Sequence, residues 1–428
     1  MHPFVAQVPI PPPKKKMALN LSRKLLSRVP VRAFSAGQPV AGSAGGLPMQ
    51  VYNEKGKHRV LVTKPLPGDR YLDILTGSDC RVEVCAMNAP DATILSNERI
   101  MALIGDKCDG VIGQLTENWN DELFAALKKA GGRAFSNYAV GYNNVDVAAA
   151  TKHGIPVGNT PGVLTETTAE IAATLTLSAA RRIVEADTFM RTGQYLGWLP
   201  TLFVGQLLQG GTVGIVGAGR IGQAYARMMI EGHKMSVVYY DLQPQPAFEK
   251  FVSDYSAFLV ARGEAPVSCT RAASVDELLP QCDVVSLHTV YNASTKHLID
   301  ATRLKLMKPA SVLVNTARGP VVHEAALVAH LKANPTFFAG LDVFEDEPAM
   351  APGLAQCANT VILPHIASAS LFTRSGMATL AAANVAARLR GDGVWDTPDN
   401  AMPFLEGAPG AVPRKSPSIV NAKELGIA

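Results

Sequence analysis

The first feature able to do chemistry is a glycine-rich turn, Gly217-Ala-Gly219-Arg-Ile-Gly222, which lies between an apolar run and a helical pattern. Gly217 allows a tight turn, Gly219 lets the backbone approach a pyrophosphate, and Gly222 lets helix and strand pack closely. The start of the following helix offers free N–H groups and a partial positive charge to phosphates. A glycine motif alone is a weak signal, but the strand before it and the helix after it predict a dinucleotide site. The predicted cofactor residues of this turn are Gly217, Gly219, Arg220, Ile221 and Gly222.

An acidic residue, Asp241, directly follows the next strand pattern, Ser236–Tyr240, about 20 residues beyond the glycine turn. A carboxylate at this place accepts hydrogen bonds from both hydroxyls of the adenosine ribose and repels a 2′-phosphate. The next three residues, 242–244, bring no cation to a 2′-phosphate. The sequence therefore predicts NAD(H) rather than NADP(H) as the cofactor.

Three ionisable residues follow later strand patterns of the same series: Arg318, Glu347 and His365. Open parallel sheets bind ligands at the carboxyl ends of their strands, so the three side chains are predicted to converge on one crevice. Taken singly, the arginine is more often a surface charge, the glutamate a solvated loop acid and the histidine a structural residue. Their shared position downstream of a nucleotide motif favours an active site.

The elements that must position these residues are two series of short, β-branched runs that alternate with helical patterns. This alternation is typical of parallel α/β sheets, and the sequence predicts an α/β protein with two such domains. The first series comprises residues 59–63, 82–86, 110–113 and 133–136. The second comprises residues 212–217, 236–240, 284–288, 312–316, 338–343 and 361–364.

Between the two series, residues 166–190 are rich in Ala, Leu and Thr and contain no Gly or Pro. They predict one long helix, capped by Thr165, that joins the two domains. Residues 191–209 break the periodicity and carry an aromatic cluster around Trp198; we interpret them either as an oligomer contact or as a loop folded over its own domain. The insertion 243–274 has aromatic residues at helical spacing, and packing is its predicted role.

Composition and charge restrict the function classes that fit this chain. Its 428 residues, 47% hydrophobic and 18% charged, predict two or three globular domains. The 6 cysteines include no C-x-x-C pair, so neither a disulfide scaffold nor a metal site is predicted. No run approaches the ~20 apolar residues of a membrane helix. Seven of the 40 basic residues and none of the acids precede residue 54, so the remaining chain is mildly acidic, which argues against nucleic-acid binding.

The basic leader predicts a targeting peptide. From Met17 the chain is rich in Arg, Ser and Ala, lacks acids and places its leucines toward one side of a helix, as organelle transit peptides do. The run around Phe34 and Ser35 resembles a mitochondrial processing site, so a mitochondrial location is predicted; a disordered tail is the alternative. Either Met1 or Met17 is the working start. The glycine-rich segment 38–56 is interpreted as a linker.

Taken together, these motifs resemble those of the D-2-hydroxyacid dehydrogenase family, over the chain from about residue 59 to the C-terminus. The motifs that carry the resemblance are residues 217–222, 315–319, 340–348 and 364–368. Within the family the chain is most similar to plant-type, NADH-dependent hydroxypyruvate reductases. The segments that carry this closer similarity are 110–119, 159–168, 198–204 and the insertion after Asp241.

The resemblance implies two Rossmann-like, doubly wound domains: a flavodoxin-like substrate domain and an NAD-binding Rossmann domain. The predicted boundaries are 1–56 for the transit peptide and linker, 57–165 for the first part of the substrate domain, 166–365 for the NAD-binding domain and 366–428 for the return to the substrate domain with the C-terminal tail.

The resemblance also implies roles for individual residues. Arg318 would grip the substrate carboxylate, His365 would act as the acid–base group, and Glu347 would pair with the histidine and orient it. The chemistry agrees, because a guanidinium matches a carboxylate bidentately and a histidine ordinarily titrates near neutrality. Backbone N–H groups near Gly113 and Leu115 would also bind the substrate carboxylate. The other cofactor residues implied are Thr168 near the phosphates, and Thr316, Ala317 and Asp342 near the nicotinamide.

The implied activity is the NADH-dependent reduction of a small 2-keto acid, hydroxypyruvate to D-glycerate and glyoxylate to glycolate, in photorespiration and by a homodimer. The two substrates differ by one hydroxymethyl group, a discrimination often worth only ~1–3 kcal/mol, so activity on both is expected. The alternatives are a sibling enzyme (a glyoxylate reductase or a phosphoglycerate dehydrogenase) and a dinucleotide-sensing, corepressor-like binding protein.

Neither nucleic acid nor a membrane is a predicted partner. The sequence ends Leu-Gly-Ile-Ala instead of a Ser-Lys-Leu-like address, so a peroxisomal location is not expected.

Overall fold

The computed structural model describes residues 39–86, 94–406 and 413–428. The leader, with the predicted transit peptide and its cleavage near Phe34 and Ser35, lies outside the described residues. Within these ranges, two seven-stranded sheets with helices packed against them make up the body of the protein. The predicted α/β architecture with two parallel-sheet domains is therefore confirmed.

The first sheet contains the N-terminal strand series. Its strands are β1 (Val40–Ala44), β2 (Leu47–Tyr52), β3 (His58–Val62), β4 (Cys80–Cys85), β5 (Gly110–Gly113), β6 (Ala134–Asn137) and β7 (Val157–Gly158). They lie in the order β1-β2-β4-β3-β5-β6-β7, and the pairs from β4 to β7 are parallel. Parallel strands that helices cover on both faces are buried throughout, so they stand out in the sequence as continuous apolar runs.

The edge of the first sheet is a β-hairpin in the segment that was predicted to be a linker. β1 and β2 pair antiparallel around a Gly-Gly turn, and β2 pairs antiparallel with β4. Met49 and Val51 are buried in the core, whereas Gln50 between them is exposed. The linker prediction for 38–56 is therefore wrong, because this alternation gives β2 one apolar face that packs against the domain.

The second sheet contains the later strand series. Its strands are β8 (Thr212–Val216), β9 (Ser236–Tyr240), β10 (Cys269–Arg271), β11 (Val284–Leu287), β12 (Val312–Asn315), β13 (Phe338–Leu341) and β14 (Thr360–Ile362). All pairs are parallel, in the order β10-β9-β8-β11-β12-β13-β14. The strand order reverses between β8 and β11, and the carboxyl ends on either side of such a reversal form a ligand crevice. β10, a short edge strand, was not predicted.

Helices and a small third sheet complete the described chain. The helices are α1 (Arg70–Thr76), α2 (Asn97–Ile104), α3 (Asp121–Lys129), α4 (Val147–Lys152), α5 (Thr165–Ala180), α6 (Ile183–Arg191), α7 (Arg220–His233), α8 (Pro246–Ala261), α9 (Val275–Leu278), α10 (Ala301–Leu306), α11 (Glu324–Ala333), α12 (Leu371–Arg390) and α13 (Met402–Leu405). The third sheet pairs β15 (Gly393–Val394) with β16 (Lys415–Ser416).

The single helix predicted at 166–190 is two helices, α5 and α6. The chain breaks at Arg182, whose backbone is left-handed with a φ of 54°. α5 buries an alanine- and leucine-rich face against the second sheet, whereas α6 has no buried residue, so packing does not hold the two helices in one line. The predicted cap is also wrong: Thr165 is the first helical residue and Leu164 holds the cap position.

The C-terminal part of the chain packs on the first domain. Asn384, on the buried helix α12, donates to the carbonyl oxygen of Asn159 at 2.9 Å and accepts from the N–H of Ser418 at 2.9 Å. Oδ1 of Asn421 accepts from the N–H of Val157 on the edge strand β7 at 2.8 Å. Buried side-chain amides therefore join the last residues to the first sheet.

None of the helices in the described ranges is both long and apolar enough to cross a membrane. The cysteines are free thiols. In the same ranges, no group of three or more His, Cys, Asp or Glu side chains could hold a metal ion.

Candidate active site

Three strand ends of the second sheet carry the residues predicted for catalysis. Arg318 follows β12, Glu347 follows β13 and His365 follows β14, because parallel strands place their carboxyl ends at one edge of a sheet. Nδ1 of His365 lies 2.9 Å from Oε2 of Glu347. The two side chains are 28% and 35% exposed, so both remain accessible to a small molecule.

Asp342 holds the backbone around His365 in an uncommon conformation. His365 has a φ of 54°, and its N–H donates to the carbonyl oxygen of Asp342 at 2.9 Å. The buried carboxylate of Asp342 accepts two more bonds, from the N–H groups of Ile366 at 2.7 Å and Ala367 at 2.8 Å. Burial raises the pKa of Asp342, although these two bonds oppose the shift. Asp342, which was predicted to lie near the nicotinamide, thus fixes the loop that carries the histidine.

The surroundings of Glu347 favour its charged form. Burial by itself raises the pKa of this carboxyl, but the hydrogen bond and charge of His365, the N–H of Phe344 and the charge of Arg318 outweigh it. The pKa of Glu347 therefore lies below its ordinary value. The Phe344 N–H donates to Oε1 at 3.0 Å, while Oε2 meets the histidine. The pairing determines that Nδ1, rather than Nε2, is the ring nitrogen of His365 that contacts the protein.

Arg318 reaches from the second domain to a loop of the first. Its Nε donates to Oδ1 of Asn143 at 3.0 Å, and its Nη1 donates to the carbonyl oxygen of Ala317 at 2.7 Å. Nη2 lies against Gly141. Burial lowers the pKa of Arg318 while Glu347 opposes the shift, and a guanidinium keeps its proton at neutral pH. A permanent cation therefore lies at the boundary between the two domains.

The first-domain residues that contact Arg318 were not among the predicted site residues. Gly141 and Asn143 belong to the loop after β6, whereas the residues predicted to contact the substrate are Gly113, the last residue of β5, and Leu115 in the loop that follows. Gly113 packs into the core, since a Cβ there would lie 2.6 Å from Nε1 of Trp119, and Leu115 is half-buried in the neighbouring loop. Substrate contact by these two residues stays a prediction. The rule that ligands meet strand ends would have found the loop after β6 had it been applied to the first sheet.

We expect Gly141→Ala to lower kcat/KM for the keto acid by about 10²-fold, the cost of a small misplacement at a reacting centre. A Cβ at this position would overlap Nη2 of Arg318, so the guanidinium must move. The backbone of Gly141 does not have a positive φ, so alanine itself introduces no strain. Steady-state kinetics would measure the loss, with NADH affinity unchanged. Gly393→Ala, whose Cβ meets nothing within 4 Å, is the matched control. Unchanged kinetics in Gly141→Ala would contradict the importance of this contact.

The glycine turn joins β8 to α7 in the form that a dinucleotide requires. Gly217 has a φ of 94°, and a Cβ there would lie 2.8 Å from the carbonyl oxygen of His288. A Cβ at Gly222 would overlap the carbonyl oxygen of Gly217, whereas nothing lies within 4 Å of the Cβ position at Gly219. The middle glycine thus faces open space, where a pyrophosphate would approach.

Two buried hydroxyl groups at the same edge also fit a bound cofactor. Oγ1 of Thr289, which lies just after β11, and Oγ1 of Thr316, just after β12, are buried and have no hydrogen-bond partner among the described residues. Buried polar groups in proteins are usually hydrogen-bonded, so unpaired hydroxyls at a strand edge fit a polar ligand such as NAD(H).

The other predicted cofactor residues lie around this turn or at the domain boundary. Asp241 directly follows β9 and is half-buried, as is Ile221 in the first turn of α7. Arg220 forms an ion pair with Asp399 of the C-terminal segment. Thr168 is buried in the first turn of α5. Direct contact of these residues with the cofactor stays a prediction.

Known proteins are similar to this chain over most of its length, across both domains. The sequence profile of the D-isomer specific 2-hydroxyacid dehydrogenase NAD binding domain matches residues 173–367. The chain is 61% identical over 380 residues to glycerate dehydrogenase of Cucumis sativus, covering 89% of this chain and 98% of that protein. It is 60% identical over 380 residues to "Glycerate dehydrogenase HPR, peroxisomal" of Arabidopsis thaliana, covering 89% and 97%. The crystal structure of the TT0316 protein of Thermus thermophilus is 35% identical with a TM-score of 0.68, covering 85% of this chain and 99% of that one.

The mitochondrial location predicted from the leader is wrong, because the Arabidopsis protein, 60% identical, is named peroxisomal. The prediction depended on the charge and leucine spacing of residues outside the described ranges. A transit peptide is recognised by its composition, whereas a peroxisomal address is a short peptide read by a receptor, so the charge of the leader alone does not decide between the two locations.

Proposed function

The chain belongs to the family of D-isomer-specific 2-hydroxyacid dehydrogenases and is an NAD(H)-dependent enzyme, and we propose that it reduces hydroxypyruvate to D-glycerate. The observation that carries the proposal is the cluster at the strand ends. There the Glu347–His365 pair lies beside an arginine that reaches into the substrate domain. Such a cluster supplies a cation for a carboxylate and a proton for a carbonyl oxygen, the two groups that adjoin C2 of a 2-keto acid.

Arg318 binds the substrate carboxylate in this proposal. A guanidinium presents a planar fork that matches a carboxylate with two parallel hydrogen bonds. Asn143 and Ala317 already hold Nε and Nη1 of Arg318, so the side chain loses little freedom when the substrate binds. The binding fixes C2 of the keto acid relative to the glycine turn. When bound there, reduced NAD supplies the hydride that C2 accepts.

His365 gives the proton that the carbonyl oxygen needs as C2 is reduced. Glu347 holds Nδ1, which leaves Nε2 for the substrate oxygen. The depressed pKa of Glu347 keeps this carboxylate ionised at neutral pH, so it holds the ring through the whole cycle and stabilises the ring's positive charge. The domain boundary at Asn143 shields the substrate from water when the two domains meet over it.

Glyoxylate is the second substrate we expect, since it lacks only the hydroxymethyl group of hydroxypyruvate, a difference worth roughly 1–3 kcal/mol in a binding site. The test offers hydroxypyruvate, glyoxylate, pyruvate and phosphohydroxypyruvate in parallel and follows the loss of NADH absorbance. Fast turnover with hydroxypyruvate and weaker turnover with glyoxylate would support the proposal. Preference for phosphohydroxypyruvate would overturn it in favour of a sibling enzyme, and tight NADH binding without turnover would favour a dinucleotide sensor.

We also propose that the chain forms a homodimer through the arm at 191–209. Leu196, Trp198 and Leu207 are 99%, 78% and 82% exposed in the single chain, and exposed apolar groups in one segment are typical of an interface. Sedimentation of the purified protein should give twice the chain mass of 45.3 kDa. A monomer at micromolar concentration would contradict the dimer.

The named location of the Arabidopsis relative supports a peroxisomal location for this chain, where a part in photorespiration remains a prediction. Immunostaining beside a peroxisomal marker would test it, and separate staining would contradict it.

A further inference from the structure

The turn that carries Asp241 is held by a cation from a distant part of the sequence. Arg271 ends the edge strand β10, which pairs in parallel with β9, and it lies in register with Tyr239. Nη2 of Arg271 donates to the carbonyl oxygen of Asp241 at 3.0 Å and to that of Leu242 at 3.2 Å. The guanidinium therefore lies directly against the backbone of the residue proposed to receive the adenosine ribose.

The residues close to Asp241 in the sequence give no indication of this cation. The residues that follow Asp241, Leu-Gln-Pro-Gln, carry no positive charge. Arg271 arrives 30 residues later, after the helix α8, and it reaches the turn only because β10 pairs beside β9. Its side chain is exposed, so a phosphate group could approach it from solvent.

A carboxylate and a guanidinium thus lie at one turn, at the place where NAD and NADP differ. A carboxylate here accepts the ribose hydroxyls and repels a 2′-phosphate, whereas an arginine nearby is the group that accommodates a 2′-phosphate in NADP-dependent proteins. Oδ1 of Asp241 accepts the N–H of Gln243 at 3.2 Å, so the turn itself also positions the carboxylate.

We propose that Arg271 is a second determinant of cofactor choice. It holds the Asp241 turn in the form that binds NAD(H), and it is the cation that binds a 2′-phosphate once the Asp241 carboxylate is removed. The inference depends on the proposed position of the adenosine ribose at Asp241.

The test compares four proteins: wild type, Asp241→Ser, Arg271→Gln and the double variant. Quenching of protein fluorescence measures the dissociation constants of NADH and NADPH, and calorimetry measures 2′,5′-ADP, which carries the distinguishing phosphate without the nicotinamide. Wild type should prefer NADH. Asp241→Ser should bind NADPH and 2′,5′-ADP about tenfold or more tightly than wild type does, and the double variant should lose about tenfold of that gain, the effect of a charge-assisted phosphate contact.

Arg271→Gln alone should weaken NADH binding by about threefold without improving NADPH binding, because only the hold on the turn is lost. Arg262→Gln in the Asp241→Ser background is the matched control. It removes the same charge from the end of the α8 segment, where the guanidinium lies over Phe258, and it should leave the NADPH gain intact.

Equal NADPH affinity in Asp241→Ser and the double variant would overturn the role of Arg271. An equal loss in the Arg262→Gln control would also overturn it, since general charge would then explain the gain. Failure of the proposed cofactor site gives a different result: wild type would not bind NADH, or Asp241→Ser would leave both affinities unchanged.

Discussion

Replacing His365 by alanine should lower kcat for keto-acid reduction by about 10³-fold, within the roughly 10²–10⁴-fold that a positioned acid–base group contributes. The carbonyl oxygen then lacks its proton donor, while Arg318 and the glycine turn remain in place. The KM of the keto acid and the dissociation constant of NADH should therefore change by less than about threefold. Steady-state kinetics and a fluorescence titration with NADH measure the two effects separately.

His233→Ala is the control for this variant, because His233 lies at the far end of α7, about 20 Å along the helix from the glycine turn. It should keep the wild-type kcat. Because His365 has a positive φ, His365→Asn, whose side chain tolerates that conformation, separates loss of the proton donor from loss of the loop. A kcat within tenfold of wild type in both His365 variants would contradict the acid–base role.

Replacing Arg318 by alanine should raise the KM of the keto acid by about 10²-fold, since a bidentate, charge-assisted pair with the substrate carboxylate is lost. NADH should bind as in wild type. The kinetic signature is thus opposite to that of His365→Ala, which chiefly lowers kcat. Some fall in kcat is also expected, because the carboxylate contact aligns C2 for reaction.

Arg318→Lys keeps the charge but loses the planar fork and the bond that Nε makes with Asn143, so it should restore only part of the affinity. Arg303→Ala, which removes an arginine paired with Asp276 at 2.6 Å on another part of the domain, should leave both kinetic constants unchanged. Small and equal effects of Arg318→Ala and His365→Ala on kcat and KM would refute both assigned roles.

The buried strands were predictable because their environment is uniform. β11 and β12 are covered on both sides and buried at every position, so burial favours apolar residues, and Val284–Leu287 and Val312–Asn315 are apolar except for Ser286 and Asn315. The same regularity places Arg318, Glu347 and His365, since each lies within six residues after the end of a strand of the second sheet. The glycine turn was predictable for a related reason, because Gly217 and Gly222 occupy positions where a Cβ would collide with backbone atoms.

Elements that depend on tertiary contacts were not predictable in the same way. The hairpin β1–β2 contains Gly42, Gly45, Gly46 and Pro48, which are typical of linkers, and its pairing with β4 outweighs these weak local preferences. The helix break at Arg182 could not be predicted from helix-breaking residues, because no proline or glycine lies within residues 166–190. It arises because the sheet packs against only the first of the two helices.

The contact between Arg318 and Asn143 shows most directly what sequence patterns do not predict. The two residues are 175 positions apart and follow strands of different sheets, so neither spacing nor periodicity links them. Arg271 and Asp241 are a second case, separated by a helix and a strand that sequence patterns describe only loosely. Sequence reasoning placed residues at strand ends, and the packing of the two domains decided which ends meet.

The return of α12 and the C-terminal tail to the first sheet has a consequence for synthesis on the ribosome. Helix α12, which packs against α1 and β6, begins nearly 300 residues after the end of α1, so α1 lacks this partner until those residues have been made. At the usual translation rate of about 5–20 residues per second, this interval lasts about 15 to 60 s. The inserted nucleotide domain can therefore complete its own fold before the first domain does. Meanwhile the apolar residues on β3 and α1 that later pack against α12 lack this cover on the nascent chain.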